Sequence, residues 1–175
     1  AYDVINTYSE KELSDIIYKY GEERYSRQIA RNIVNCRKNE PIKTTKQLVE
    51  IITKSKPAGK DGHPAKRTFQ AIRIKVNNEI EPLERTILES IKCLKNNGRL
   101  CVITFHSLED RAVKEAFKKA EGECTCPKDI PICVCNPISY GKALTKKPII
   151  ATENELKLNS RSKSAKLRIF ERKEV

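Results

Sequence analysis

Apolar side chains recur at three- and four-residue intervals through the first 55 positions and again between Phe69 and Leu94, then bunch into one short run at 100–105. The first regime is that of amphipathic helices, the second that of a buried strand. Ser9-Glu10-Lys11-Glu12 is a capping box, in which the serine oxygen takes a free amide of the first turn while Glu12 reaches back to the cap. It predicts a helix to about Tyr20, closed by Gly21 in the left-handed conformation. A second helix is predicted from Glu22 to about Asn39, with Tyr25, Ile29, Ile33 and Cys36 on one face and strongly basic positions elsewhere. Thr44-Thr45-Lys46-Gln47 is another capping box, opening a third helix that buries Leu48, Ile51 and Ile52.

The segment Lys56 to Pro64 concentrates Pro, Gly and charge, as an exposed connection does, and predicts a boundary between a helical domain at 1–63 and a second domain at 64–175. Phe69, Ile72, Val76, Ile80, Leu83, Ile87, Leu88, Ile91 and Leu94 keep helical spacing, with Pro82 bending the run or dividing it. After Asn97-Gly98, the residues Leu100, Val102, Ile103 and Phe105 predict a strand buried on both faces of a parallel sheet. Ser107 is expected to cap the next helix, which turns Val113, Ala116, Phe117 and Ala120 inward and stops near Gly122. A cysteine-rich loop at 122–137 precedes a strand around Ala143 to Ile150, a short helix capped by Thr152 with Glu155, and a last strand around Ala165 to Phe170. The expected class is mixed α/β.

Composition narrows the function. With 38% hydrophobic residues in 175, a modest core is within reach. No stretch approaches the roughly 18 apolar residues of a membrane span, and Ala1 to Ser9 lacks the basic-then-apolar build of an export signal. No membrane association and a cytoplasmic location are therefore expected. The formal charge of +12 favours polyanions, with seven basic residues to one acid over Lys54–Lys75 and ten to four over Lys142–Val175. Nucleic acid leads as partner, against the plainer reading of a solvated lysine surface.

Seven cysteines argue for reduced thiols or metal ligands over disulfides. Cys36, Cys93 and Cys101 fall in apolar patterns and are expected in the core. Cys124, Cys126, Cys133 and Cys135 would satisfy a structural Zn²⁺, although one-residue spacing is tighter than usual and four unligated thiols fit as well.

Three stretches taken together resemble one family: Asp61-Gly62-His63-Pro64-Ala65-Lys66-Arg67-Thr68-Phe69-Gln70-Ala71-Ile72-Arg73, Gly98-Arg99-Leu100-Cys101-Val102-Ile103-Thr104-Phe105-His106-Ser107-Leu108-Glu109-Asp110-Arg111, and Ser162-Lys163-Ser164-Ala165-Lys166-Leu167-Arg168. They are similar to the 16S rRNA cytosine-N4 methyltransferases called MraW or RsmH. Asn6-Thr7-Tyr8-Ser9 and Tyr20-Gly21-Glu22-Glu23-Arg24 fit the same pattern. The resemblance implies a helical insertion domain that helps recognise RNA, followed by the C-terminal half of a class I, Rossmann-like methyltransferase domain. It also implies S-adenosylmethionine as cofactor and the small ribosomal subunit as partner. The glycine-rich turn that holds that cofactor, and the family's catalytic motif, would lie before Ala1, because the six glycines here are scattered singly. The chain is thus expected to be part of a longer enzyme, inactive alone and a poor cofactor binder, whose exposed strand edges favour self-association.

Candidate site residues follow. Phe105, His106 and Ser107 would leave the carboxyl end of a strand, where α/β sheets place their ligand crevice, unless Phe105 is core, Ser107 only a cap and His106 a loop contact. Glu109, Asp110 and Arg111 form a charged first turn that favours a structural role. His63, Lys66, Arg67 and Arg73, with Lys163, Lys166 and Arg168, are candidate phosphate contacts or else solvated cations. Three functions are in play: part of an rRNA methyltransferase, a non-catalytic basic RNA-binding or ribosome-assembly module, and a zinc-dependent regulatory protein.

Overall fold

Both capping boxes form. In the computed structural model, which describes residues 1–57, 62–122, 124, 126 and 138–173, the Glu12 amide donates to Ser9 Oγ at 3.2 Å while the Ser9 amide donates to Glu12 Oε2 at 2.8 Å. Thr44 and Gln47 repeat the exchange. They open helices α2 (Glu10–Gly21) and α4 (Thr45–Lys54), which join α1 (Tyr2–Thr7), α3 (Ser26–Arg37) and α5 (Lys66–Asn77) in a first compact unit, Ala1–Glu79. Ile5, Leu13, Ile17, Ile29, Ile33, Ile52 and Ile74 are buried in this unit. The guanidinium of Arg37 donates to the carbonyls of Ile5 and Tyr8, tying α1 to α3. A buried ion pair of 2.6 Å between Lys56 and Glu23 ties the end of α4 to the turn before α3.

The boundary therefore falls after Glu79 and not at 63/64, because α5 packs along α2 and completes the helical unit. Asn78, in the left-handed conformation at φ 51, breaks the long apolar run before Pro82 enters the first turn of the next helix. Two local expectations are also corrected. Glu22, at φ 50, is the left-handed residue that ends α2, and Gly21 is its last helical residue. Glycine is required at 21 for closeness: a Cβ there would lie 2.7 Å from the carbonyl oxygen of Arg67. Tyr25 and Cys36, assigned to the apolar face of the second helix, are exposed.

The second unit, Ile80–Val175, contains α6 (Glu81–Cys93), β1 (Arg99–Thr104), α7 (Ser107–Ala120), β2 (Gly141–Ala143), β3 (Ile149–Ile150), α8 (Glu153–Leu158), a 3-10 helix at Ser160–Ser164 and β4 (Lys166–Arg172). The sheet order is β1-β4-β2, with β3 also on β4, and every pairing is antiparallel. The single strand expected around Ala143 to Ile150 is two short ones, both joined to β4.

Side chains paired across an antiparallel ladder share a face. Leu100 lies opposite Phe170, and Ala143 also faces Phe170, on the side covered by α6 and α7; there Ile87, Ile91, Val113, Ala116, Phe117 and Ala120 close the core. The Phe117 and Phe170 rings meet at 5.3 Å, tilted by 52°. Opposite parity puts Cys101 beside Ile169 and Ile103 beside Leu167, with Ile103 58% exposed. Thus β1 is not covered on both faces of a parallel sheet; one face is packed and the other carries an open apolar row. Cys101 belongs to that row and Cys93 is also exposed, so neither is the core residue that its pattern implied.

Replacing Gly21 by Ala should lower stability by about 1–3 kcal/mol, the cost of overpacking, even though alanine is the better helix former. Urea unfolding of the purified chain measures it, and an unchanged or raised midpoint would mean that α2 and α5 can part to admit a methyl group.

Candidate functional site

The junction between β1 and α7 is held by a reciprocal cap one residue earlier than the sequence suggests. His106, extended at φ −141 and ψ 166, is the N-cap of α7, and Ser107 is its first helical residue. The Glu109 amide donates to His106 Nδ1 at 3.3 Å, while Glu109 Oε2 accepts from the amides of Phe105 at 2.8 Å and His106 at 3.2 Å. With Nδ1 accepting, a neutral imidazole carries its proton on Nε2. Nε2 lies 3.3 Å from Glu109 Oε1 but off the direction of a hydrogen bond, so this buried atom has no hydrogen-bond partner among the described residues. Phe105 is 57% exposed and is not core. An exposed ring thus sits beside a fixed imidazole with one donor left over, at the carboxyl end of a strand.

One turn into α7, Asp110 draws the last strand in. Arg168 Nε and Nη2 donate to its two carboxylate oxygens at 2.6 and 3.1 Å, and Lys166 Nζ reaches Oδ2 at 3.5 Å. Arg168 hydrogen bonding, reinforced by its charge and that of Lys166, holds the Asp110 carboxyl below the usual carboxylate range, against the opposing effect of burial. This withdraws Arg168 from the RNA-contact expectation: its side chain is 7% exposed and its guanidinium is committed to Asp110. Lys166 is partly engaged by the same carboxylate, whereas Lys163 is exposed.

The other candidate cations lie in the first unit, at α5. His63 Nδ1 accepts from the Ala65 amide at 3.3 Å in the turn that opens the helix, and Lys66 is exposed in its first turn. Arg67 donates to the Glu22 carbonyl at 3.1 Å, closing the end of α2. Arg73 forms a forked pair with Glu79 at 2.9 and 3.0 Å. The structure therefore groups His63, Lys66 and Arg67, and leaves Arg73 answered by its own carboxylate.

Of the four thiols read as zinc ligands, Cys133 and Cys135 lie outside the described residues; Cys124 is exposed and Cys126 half-buried. Among the described residues no cluster of three His, Cys, Asp or Glu side chains is placed to hold a metal, and no helix is long and apolar enough to cross a membrane. S-adenosylmethionine finds no glycine-rich cradle in the described residues. Strand β1 runs directly into the His106 cap, Gly21 is helical, Gly122 serves a turn at φ 82, and Gly141 opens strand β2 at φ 147.

Residues 1–173 match the MraW methylase family. The chain is 55% identical to the ribosomal RNA small subunit methyltransferase H of Fusobacterium nucleatum, covering 98% of this chain and 55% of that protein. It is 57% identical to the protein of that name from Caldicellulosiruptor saccharolyticus, over 98% of this chain and 56% of the relative. For Clostridioides difficile the identity is 50%, again over 98% and 56%. The chain spans little more than half the length of these relatives.

Asp110→Asn should destabilise the chain by about 3 kcal/mol at pH 7, since it strands the buried Arg168 charge. The folded-state carboxyl titrates below the unfolded one, so its contribution is complete above the ordinary carboxylate pKa and vanishes as pH falls through the depressed value. Denaturant unfolding of both proteins across pH 2–7 should show the gap narrowing only at the acid end; a gap constant with pH would assign the loss to packing.

Proposed function

Because the chain belongs to the MraW methylase family, we propose that it is the RNA-recognising and cleft-forming portion of an S-adenosylmethionine-dependent methyltransferase that modifies the N4 amine of a cytosine in small-subunit ribosomal RNA. The observation that carries the reading is the β1–α7 junction, where exposed Phe105 stands beside the fixed His106 cap at a strand's carboxyl end. That is the position at which α/β sheets bind ligands.

The chemistry sets the demands on such a site. An exocyclic cytosine amine has its lone pair delocalised into the ring, so it attacks a sulfonium methyl only when held in line and shielded from water. The base must also leave any stack or pair to reach the donor. An exposed aromatic face at 105 suits support of a base or cofactor ring, on a junction that the His106–Glu109 cap holds fixed. Catalytic residues are not assigned to this chain. Its described residues supply no turn to hold the methyl donor, and the reading requires that segment from elsewhere in the full enzyme. The same lack supports the second reading, a basic RNA-binding module of the small subunit without chemistry of its own. Either activity belongs to the cytoplasm.

Nucleoside mass spectrometry of small-subunit RNA from cells in which the encoding gene is disrupted should show N4-methylcytidine lost, restored by the intact gene and not by residues 1–175 alone. An unchanged N4-methylcytidine content would reject the methyltransferase reading. Calorimetry on the isolated chain should show no micromolar binding of S-adenosylmethionine, and tight binding would contradict the inferred division of labour.

A further inference from the structure

A run of uncommitted positive charge lies along helix α3, away from the candidate cations of α5 and β4. From Arg24 to Asn39 there is no Asp or Glu, and helix α3 occupies most of that stretch. Its buried face is Ser26, Ile29, Ala30 and Ile33. The opposite face carries Arg27, Arg31 and Asn35, and Arg24 in the turn before the helix and Lys38 at its C-cap continue the same three- and four-residue steps, all exposed. Arg24 and Arg27 form no ion pair with any described residue. Arg31 has only a loose, exposed contact of 3.6 Å with Glu10, and Lys38 only the neutral oxygen of Asn35 at 3.3 Å. Solvent-exposed pairs of that kind contribute little and are readily exchanged for another anion. The stripe runs roughly 18 Å along the helix.

Beside it opens a cleft of about 390 Å³ between α3 and α4, within the usual range of about 300–1,000 Å³ for small-ligand sites. Asn32, Asn35 and Cys36 line one wall and Gln47, Glu50 and Ile51 the other. Its chemistry differs from that of the stripe. It offers amide groups, the carboxylates of Glu40 and Glu50, one cation at Lys54 and an apolar wall, a mixed lining that suits the polar edge and flat face of a nucleobase better than a phosphate. A carboxylate accepts hydrogen bonds from an exocyclic amine.

We propose that the exposed face of α3 is the surface on which single-stranded RNA lies, with its phosphates on Arg24, Arg27, Arg31 and Lys38 and one unstacked base in the α3–α4 cleft against Asn35 and Glu50. Single strands with splayed bases are the form in which RNA is read by side chains. Backbone cations fix the register while a pocket reads the base. The inference rests on the reading above that RNA is the partner, and it moves the contact from the start of α5 to a different helix.

The test uses the whole 175-residue chain and a mixed-sequence single-stranded RNA oligonucleotide, with binding followed by fluorescence anisotropy over a range of salt concentrations. Arg27→Gln with Arg31→Gln should weaken binding and reduce the slope of log affinity against log salt by about 0.7 for each lost contact. Lys142→Gln with Lys146→Gln, which removes the same charge from exposed positions of the second unit, should leave that slope nearly unchanged. Equal effects of the two pairs would overturn the assignment to α3. Glu50→Leu separates the cleft from the general field: removing a carboxylate tightens RNA binding if Glu50 merely repels phosphate, and weakens it severalfold if Glu50 accepts from a base. Unchanged or tighter binding overturns the cleft. Circular dichroism of each variant confirms that the fold persists. Failure of the wild-type chain to bind any RNA would sink the RNA reading itself, whereas binding that ignores the α3 substitutions sinks only this surface.

Discussion

The second unit depends on the last strand coming home. Strand β4 alone contacts β1, β2 and β3, so the hydrogen bonds of the whole described sheet are closed only when residues 166–172 return to pair with residues 99–104. Closing so long a loop costs chain entropy before any contact rewards it, and the strand carries the groups that repay it. Phe170 seals the core beneath α6 and α7, the buried Arg168 locks onto Asp110, and at the turn before β1 the Asn97 amide donates to the Arg172 carbonyl while the Arg172 amide donates to the Gly98 carbonyl, both at 2.9 Å. Because Asp110 sits one turn beyond His106, the same ion pair that fixes β4 also fixes the cap from which Phe105 projects. Site geometry and unit stability are the same construction here.

The first unit solves a different problem. Its elements are joined in sequence and mostly meet their neighbours, but α5 must return across α2, and it does so at a point where there is no room for a side chain on Gly21. Arg67 and Gln70 then donate to the carbonyls of Glu22 and Tyr20, meeting acceptors that the end of α2 would otherwise leave to water. A glycine that looks like an ordinary helix stop thus sets the distance between two helices, and the left-handed turn passes to Glu22.

These particulars show what was legible in the sequence. Caps at Ser9, Thr44 and Thr152, the inward stripes of α4 and α7, and the division near Pro82 rest on interactions within a few residues, and a linear pattern records them. The boundary at 63/64 misses because α5, which follows it, packs on α2 and belongs to the helical unit, a pairing that a linear pattern does not record. The parallel, doubly covered strand misses for a similar reason. The run Leu100 to Phe105 is equally apolar on both parities, and the identity of its partner lies in β4, far along the chain. Cys36, Cys93 and Cys101 misled because a small apolar residue beside a buried stripe scores like a member of it. At 106 the error was one residue: serine is the usual cap, but the histidine ring takes the amide and leaves Ser107 inside the helix.

Charge poses the subtler lesson, since a net charge of +12 counts cations without asking which are spent. In the motifs that carry the family resemblance, several basic side chains prove to be structural. Arg168 neutralises Asp110, Arg73 grips Glu79, and Arg67 holds a backbone carbonyl. A guanidinium so engaged contributes little to counterion release, because binding a phosphate would first have to break a bond that the fold needs. On α3 no carboxylate is provided along the helix; Arg37 is spent on the carbonyls of Ile5 and Tyr8, but Arg27 and Arg31 remain available. A long-range attraction to polyanions requires only the sum of charges, but a defined contact surface requires cations that the protein has left unpaired. By that criterion the place to look for nucleic acid on the described residues is α3, where Arg24, Arg27 and Arg31 stand without a close carboxylate, whereas Arg67, Arg73 and Arg168 are first of all bolts of the fold.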